Sequence, residues 1–377
     1  MATIKEIKAW LGSSFFIGFD GLDVPEDVQK FIHENQIGGI TLFATNYENP
    51  AQVAELCNQL QALKSSSGAS DLPPIFIAVD HEGGKVQRFK KPFTKFPPAH
   101  VIGYLNSPKL CFEVAEAQSR ELKAVGINTV FAPVADINTN PKNPIIGERA
   151  FGDTEELVSK MVSGQVRGFI THGIQPCVKH FPGHGDTNRD SHFHLPRVST
   201  SMEVLMEREL RPFQKAFKSH CNLLMTAHII LENFEPKLPC TLSAKVLKEL
   251  LRDKLRYQGL IITDDMEMKA ISDHFGKIDA AVMALEAGAD ILLYHTMPFI
   301  QEVYEPLMSK LTSPEGKTAV AQLQIAHEAV MNFRKSYFMP YKPIYIPEIM
   351  SVVGSKENQD LLKRIEKEHA KLLNTPA

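Results

Sequence analysis

A chain of 377 residues with 44% apolar and 23% charged side chains can bury a large core, as one barrel or as two smaller domains. A net charge of −3 excludes the basic footprint of a nucleic-acid binder and a polybasic membrane patch. No apolar run reaches the ~18–20 residues of a membrane helix, and the opening "MATIKEIKAWLGSSFFIGFD" lacks a signal-peptide pattern, so a cytoplasmic protein is expected.

From the N-terminus, eight short β-rich runs recur. They are "SSFFIGF" (13–19), "IGGITLF" (37–43), "IFIAVD" (75–80), "NTVFAPV" (128–134), "PCVKH" (176–180), "NLLMTAH" (222–228), "LIITDD" (260–265) and "ADILLY" (289–294). Amphipathic helical stretches lie between most of them, at 49–64, 107–126, 153–173 and 277–290. Asp153 or Thr154 can cap the third, and Gly126, Gly173 and Gly288 stand where helices stop before the next strand. Continuous apolar strands alternating with helices predict a parallel sheet covered by helices, and eight of them predict a single (β/α)8 TIM-type barrel. The phosphate-cradling glycine patterns that would favour an open nucleotide-binding sheet are absent. The barrel is expected over 1–337, with an eighth helix at about 317–335. An extended connector and a C-terminal helix (about 356–373) over 338–377 are expected to pack on it. The five cysteines are widely spaced with no CxxC pair, which reads as free thiols in a reducing compartment.

Chemistry in such a barrel belongs at the C-terminal ends of the strands. Asp80 ends the third run, Arg149 lies in the long loop after the fourth, and Lys179 and His180 end the fifth. His228 ends the sixth, and Asp264 and Asp265 end the seventh. Five of the fourteen histidines fall between His172 and His194, most of them in "KHFPGHGDTNRDSHFHLP" (179–196). A metal reading would use His180 with His184, or the His192-Phe193-His194 pair. Pro182, Gly183 and Gly185 break the helix that the first pair needs. An acid/base reading fits better: Asp190 and His192, two apart, can form an oriented carboxylate–imidazole pair that shuttles a proton near neutral pH. Strand alternation puts Asp264 on one face and Asp265 on the other, without saying which face is inside. One can reach the barrel axis, and its neighbour is left to cap a helix or support the site.

The stretches "VDHEGGKVQRF" (79–89), "GERAFG" (147–152), "KHFPGHGDTNRDSH" (179–192) and "TDDMEMKAI" (263–271) together resemble glycoside hydrolase family 3, in its single-domain bacterial β-N-acetylglucosaminidase branch of the NagZ type. The similarity runs from about Gly18 to Asp290. The resemblance implies Asp264 as nucleophile, His192 as general acid/base with Asp190 as its partner, and Asp80, Arg88, Arg149, Lys179 and His180 as sugar-binding residues. It departs from the family pattern at His81, where glutamine is common, and at Lys85, where arginine is common. The implied activity is exo-hydrolysis of terminal β-linked GlcNAc from soluble peptidoglycan fragments in wall recycling, through a covalent glycosyl-aspartate. The expected enzyme is a monomer with a small carbohydrate substrate and without metal, other cofactor, nucleic-acid or membrane partner. The alternatives are a family-3 β-glucosidase or β-xylosidase, and a non-catalytic sugar-binding barrel.

Overall fold

The computed structural model describes residues 2–63, 72–187, 191 and 194–374. Eight parallel strands close on themselves in the order 1-8-7-6-5-4-3-2. They are, in chain order, Phe15–Ile17, Gly39–Leu42, Phe76–Val79, Thr129–Val130, Gln175–Phe181, Leu223–Thr226, Leu260–Asp265 and Ile291–Tyr294. Each is shorter than or close to the apolar run that announced it. The fourth run is cut to two residues, and Pro133, which has no N–H to add to a ladder, stands just beyond it.

Alternation along each strand divides the core in two. Phe16, Phe76, Ala78, Phe131, Cys177, Leu223, Met225, Leu260, Ile262, Ile291 and Leu293 fill the barrel. Their neighbours, among them Phe15, Ile17, Ile77, Val79, Val178, Ile261 and Leu292, pack outward against the helices. The ring includes helices Glu26–Asn35, Pro50–Leu63, Pro108–Ala124, Glu155–Thr171 and Lys277–Ala287. Thr154 stands at the cap position of Glu155–Thr171, though its side chain makes no capping bond there. Gly126, Gly173 and Gly288 adopt the positive φ that ends a helix with least strain.

Two features depart from the sequence reading. A helix, Ile4–Ser13, precedes the first strand and is opened by a reciprocal Thr3–Glu6 capping box. Two helices, not one, follow the eighth strand: Met297–Thr312 and Lys317–Phe338. The last turns of the second plug the barrel floor, where Phe333 stacks on Phe76 at 5.3 Å and Phe338 meets it edge-on at 4.9 Å. Past Phe338 the chain runs to helices Ile349–Val352 and Lys356–Leu373, which lie against Pro108–Ala124 and its neighbours. Among the described residues no helix is long and apolar enough to cross a membrane.

Candidate active site

The inward face of each strand carries past the core to the barrel mouth. Asp80, Lys179 and Asp264 each stand two residues beyond an inward-packed residue, respectively Ala78, Cys177 and Ile262. Alternation therefore turns all three toward the axis. They line one cavity of about 380 Å³ together with Arg88, Arg149, His180, His184, Ser191, Asp265, His295 and an apolar wall that includes Phe43, Phe131, Met225 and Met268. That volume suits a small-molecule ligand.

One side of the cavity, from the third to the fifth strand, is an ion network. After Asp80 the chain makes a short antiparallel hairpin, His81–Gly83 with Val86–Gln87, which returns Arg88 to Asp80. The Arg88 guanidinium donates to Asp80 Oδ2 at 2.9 Å, and Lys179 Nζ lies 2.6 Å from Asp80 Oδ1 and 2.7 Å from Glu82 Oε1. Arg149, at the end of the turn Gly147–Arg149, grips Glu82 with two hydrogen bonds of 2.9 and 2.8 Å. Its carboxylate partner is thus Glu82, two residues past Asp80, and not Asp80 itself. Burial alone would raise the Asp80 carboxyl, but Lys179 and then Arg88 outweigh it and hold it well below the carboxylate range. Glu82 is held down in the same way, by Arg149 and then Lys179. The same carboxylates outweigh burial at Lys179 and keep its ammonium charged.

His180 is oriented from behind. Its Nδ1 lies 2.7 Å from Asp136 Oδ2, and Asp136 Oδ1 accepts the backbone N–H of His184 at 2.6 Å. An ionised carboxylate only accepts, so the His180 proton sits on Nδ1 and Nε2 faces Arg149 at 3.4 Å as an acceptor. His184 is bonded at both ring nitrogens, to Thr187 Oγ1 at 2.8 Å and Ser191 Oγ at 3.0 Å. Burial, and then the neighbouring His180, push it down to about 4, so it is a neutral structural imidazole. Asp190 and His192 lie outside the described residues, as does Phe193. Ser191, between them in sequence, lines the cavity.

The opposite side comes from the seventh and eighth strands. Strict alternation would send only one of Asp264 and Asp265 inward, but both line the cavity. The register between the seventh and eighth strands shifts between Ile262 and Asp265, and that irregularity brings the second carboxyl round. Asp264 Oδ1 accepts the Asp265 N–H at 2.9 Å, and Asp265 Oδ1 accepts the Glu267 N–H at 3.0 Å. Burial pushes Asp265 up to about 8; the Glu267 N–H opposes this, while the carboxylates of Glu267 and Asp264 add to it. His295 stacks face to face on Phe43 at 3.8 Å and closes this side. His228 does not line the cavity; its ring nitrogens reach Thr241 Oγ1 at 2.8 Å and the Asp265 carbonyl at 3.0 Å, so it buttresses the seventh strand from outside.

Neither His81 nor Lys85 lines the cavity. His81 is buried between Phe89 and Phe93, and Lys85 makes an exposed pair with Glu148 at 3.8 Å. Glu82 and Asp136 are the organisers that sequence reasoning missed. Glu82 is inside a quoted stretch and shares Asp80's strand parity, and Asp136 lies just past the fourth strand, so both carried a usable signal. Among the described residues no group of three or more His, Cys, Asp or Glu side chains is arranged to hold a metal ion.

A closed parallel barrel with an ion network facing two carboxyls across its mouth defines a barrel-type small-molecule site at the C-terminal ends of the strands. The model of the glycosyl hydrolase family 3 N-terminal domain matches residues 6–333, and the chain belongs to that family of glycoside hydrolases. It is 39% identical over 287 residues to beta-hexosaminidase A of Pseudoalteromonas piscicida, covering 72% of this chain but only 48%, about half, of that relative. It is 32% identical over 326 residues to the beta-hexosaminidase of Alkalilimnicola ehrlichii, covering 85% of this chain and 90% of the other. Among solved structures, a family 3 beta-N-acetylglucosaminidase from Paenibacillus sp. str. FPU-7 superposes with a TM-score of 0.87 at 36% identity, covering 96% of this chain and 68% of that one. NagZ from Neisseria gonorrhoeae, in complex with N-trifluoroacetyl-D-glucosamine, superposes with a TM-score of 0.76 at 27% identity, covering 95% and 98%.

Proposed function

We propose that the protein is a retaining exo-β-N-acetylglucosaminidase that removes terminal β-linked GlcNAc from soluble peptidoglycan fragments in the cytoplasm. The observation that carries the reading is the opposition, across one cavity, of the Asp80–Arg88–Lys179–Glu82–Arg149 network and the Asp264–Asp265 pair. Ionised Asp80 accepts from sugar hydroxyls through its unused lone pairs, while Arg88, Lys179 and Arg149 donate to hydroxyl oxygens. His180, whose Nε2 accepts from Arg149, helps hold that guanidinium at the cavity wall. A sugar ring held there presents its anomeric carbon to the seventh strand. Asp264 attacks that carbon and forms a glycosyl ester; Asp265, protonated at neutral pH, adds no second negative charge beside it. His192, oriented by Asp190, protonates the departing oxygen and then takes a proton from the water that releases the sugar. The relatives named beta-hexosaminidase support the N-acetylglucosaminide branch, and five free buried cysteines suit a reducing compartment.

A panel of aryl β-glycosides tests the substrate class. The N-acetylglucosaminide is expected to be cleaved fastest, with the glucoside and xyloside far behind. A faster glucoside or xyloside would move the assignment to those activities, and no turnover at all would leave a sugar-binding barrel. A slow fluorinated N-acetylglucosaminyl substrate should label Asp264; a label on Asp265 would overturn the assignment of the nucleophile.

A further inference from the structure

Behind the histidine-rich segment lies a buried carboxyl that the chemistry above does not use. Glu209 ends the π-helical stretch Leu205–Glu209 and is 2% exposed. Its Oε1 accepts from Arg208 Nε at 2.6 Å, while its Oε2 is buried with no hydrogen-bond partner among the described residues. That oxygen points at the stem of the segment: a Cβ on Gly183 would stand 3.2 Å from it, and Gly183 has φ +125°, which side chains rarely adopt. The same Arg208 reaches Asp186 Oδ2 at 3.4 Å, and Asp186 also accepts from Thr200 Oγ1 at 2.9 Å. One guanidinium is thus shared between a carboxylate on the stem and a carboxyl beneath it.

We propose that Glu209 is a positioning residue for the stem Gly183–Thr187, acting through competition with Asp186 for Arg208. The stem matters because Gly183 N–H bonds the His180 carbonyl at 2.8 Å and His184 N–H bonds Asp136. A shift at Gly183 is therefore felt at both cavity histidines. Among the described residues, the charged groups that act on Glu209 are Arg208 on its own helix, Asp186 on the stem, and Asp136 beyond the fourth strand, which holds His180 and His184. Burial raises the Glu209 carboxyl to about 7, Arg208 opposes this, and Asp186 and Asp136 add to it. When protonated, Glu209 leaves the guanidinium to Asp186 and the stem is held. When ionised, it draws Arg208 away and repels Asp186 and Asp136, and the stem loosens. The held form is present at lower pH and is lost as pH rises through about 7.

The test is amide hydrogen exchange of residues 183–187 in the full chain from about pH 5.5 to about pH 8.5, corrected for intrinsic rates, beside kcat/KM for an aryl β-N-acetylglucosaminide. In the wild type, stem protection should fall across neutrality, by up to about tenfold per pH unit. Glu209→Gln should keep its protection and shift the alkaline limb of kcat/KM upward, leaving the acidic limb in place. Arg208→Met should lower protection at every pH and abolish its pH dependence. Parallel wild-type and Glu209→Gln exchange profiles, or a loss in Glu209→Gln that is uniform with pH, would overturn the proposal. The activity arm rests on the proposed hydrolysis; the exchange arm does not, so failure of one is distinguishable from failure of the other.

Discussion

Arg149 meets Glu82 through two parallel hydrogen bonds, a fork that lysine cannot reproduce. Arg149→Lys keeps the charge but frees one Glu82 oxygen in a buried network. The expected loss in kcat/KM is about 10–100-fold, from one charged hydrogen bond of about 1.5–3 kcal/mol. Steady-state kinetics check it, and an unchanged kcat/KM would mean that the network is structural only. Asp265 gives a second residue-level expectation with a definite sign. Its folded carboxyl titrates near 8, against 3.8 ordinarily, so the folded state holds that proton more tightly than the unfolded chain. This raised value makes Asp265 cost stability progressively as pH rises from about 4 to about 8. Asp265→Asn should remove that slope, and denaturant unfolding at about pH 5 and about pH 9 should show the variant gaining on the wild type at the higher pH. An equal or larger wild-type advantage at high pH would show that the Asp265 carboxyl is not held protonated.

At the scale of elements, the loop after the fourth strand holds the stem of the histidine-rich segment in place. Asn143 Nδ2 donates to the carbonyls of His184 at 2.8 Å and Gly185 at 3.0 Å, while its Oδ1 accepts the N–H groups of Ile145 and Ile146, both at 2.9 Å. The packing is close: a Cβ on Gly185 would sit 1.7 Å from the Ile137 carbonyl oxygen. Asn143→Ala leaves several backbone groups unpaired at one point and should cost about 1–3 kcal/mol of stability. Because two of those groups, the His184 and Gly185 carbonyls, belong to the stem, kcat should fall more than this stability loss accounts for. Chemical denaturation and single-substrate kinetics on the same variant separate the two effects. A stability loss with full kcat would show that the stem does not set the geometry of the cavity.

For the whole molecule, the C-terminal segment converges with the barrel on a buried carboxyl, beside other contacts such as Asn58 with Ile344 and Arg120 with Asn358. Glu121, on the helix Pro108–Ala124, accepts from Thr94 Oγ1 at 2.7 Å, Thr94 N at 3.0 Å, Gly354 N at 2.9 Å and Asn358 Nδ2 at 2.8 Å. Ile349, Val353 and Ile365 bury apolar surface beside this junction. Glu121→Ala would strand these donors in the interior and should cost about 3 kcal/mol or more. Thermal melts should show the loss, whereas kcat/KM well below the melting temperature should change little, since Glu121 does not line the cavity. A fall in kcat/KM without a fall in stability would mean that the tail acts on the site.

The barrel and the position of its mouth are written in the linear order of the chain. Eight apolar runs closing into one parallel sheet require helices on the outside, and the rule that chemistry gathers at strand ends points from linear order to Asp80, Lys179, His180 and the Asp264–Asp265 pair, all of which line the cavity, and also to His228, which does not. Gly126, Gly173 and Gly288 are enough to end helices before their strands, because that signal is local. The Thr3–Glu6 capping box is an equally local signal for the helix it opens, Ile4–Ser13. The pairings within the cavity arise only when the barrel closes. Arg149 takes Glu82, 67 residues away, and His180 takes Asp136, 44 residues away, through contacts that no local pattern encodes. Closure also brings Asp265 to the cavity with Asp264, since a register shift between neighbouring strands arises from it. It likewise lets Phe333 and Phe338 plug the floor, where a helix beyond the eighth strand meets Phe76 on the third. Period and composition specify which elements form; which side chains then share a cavity depends on the closed geometry of the barrel.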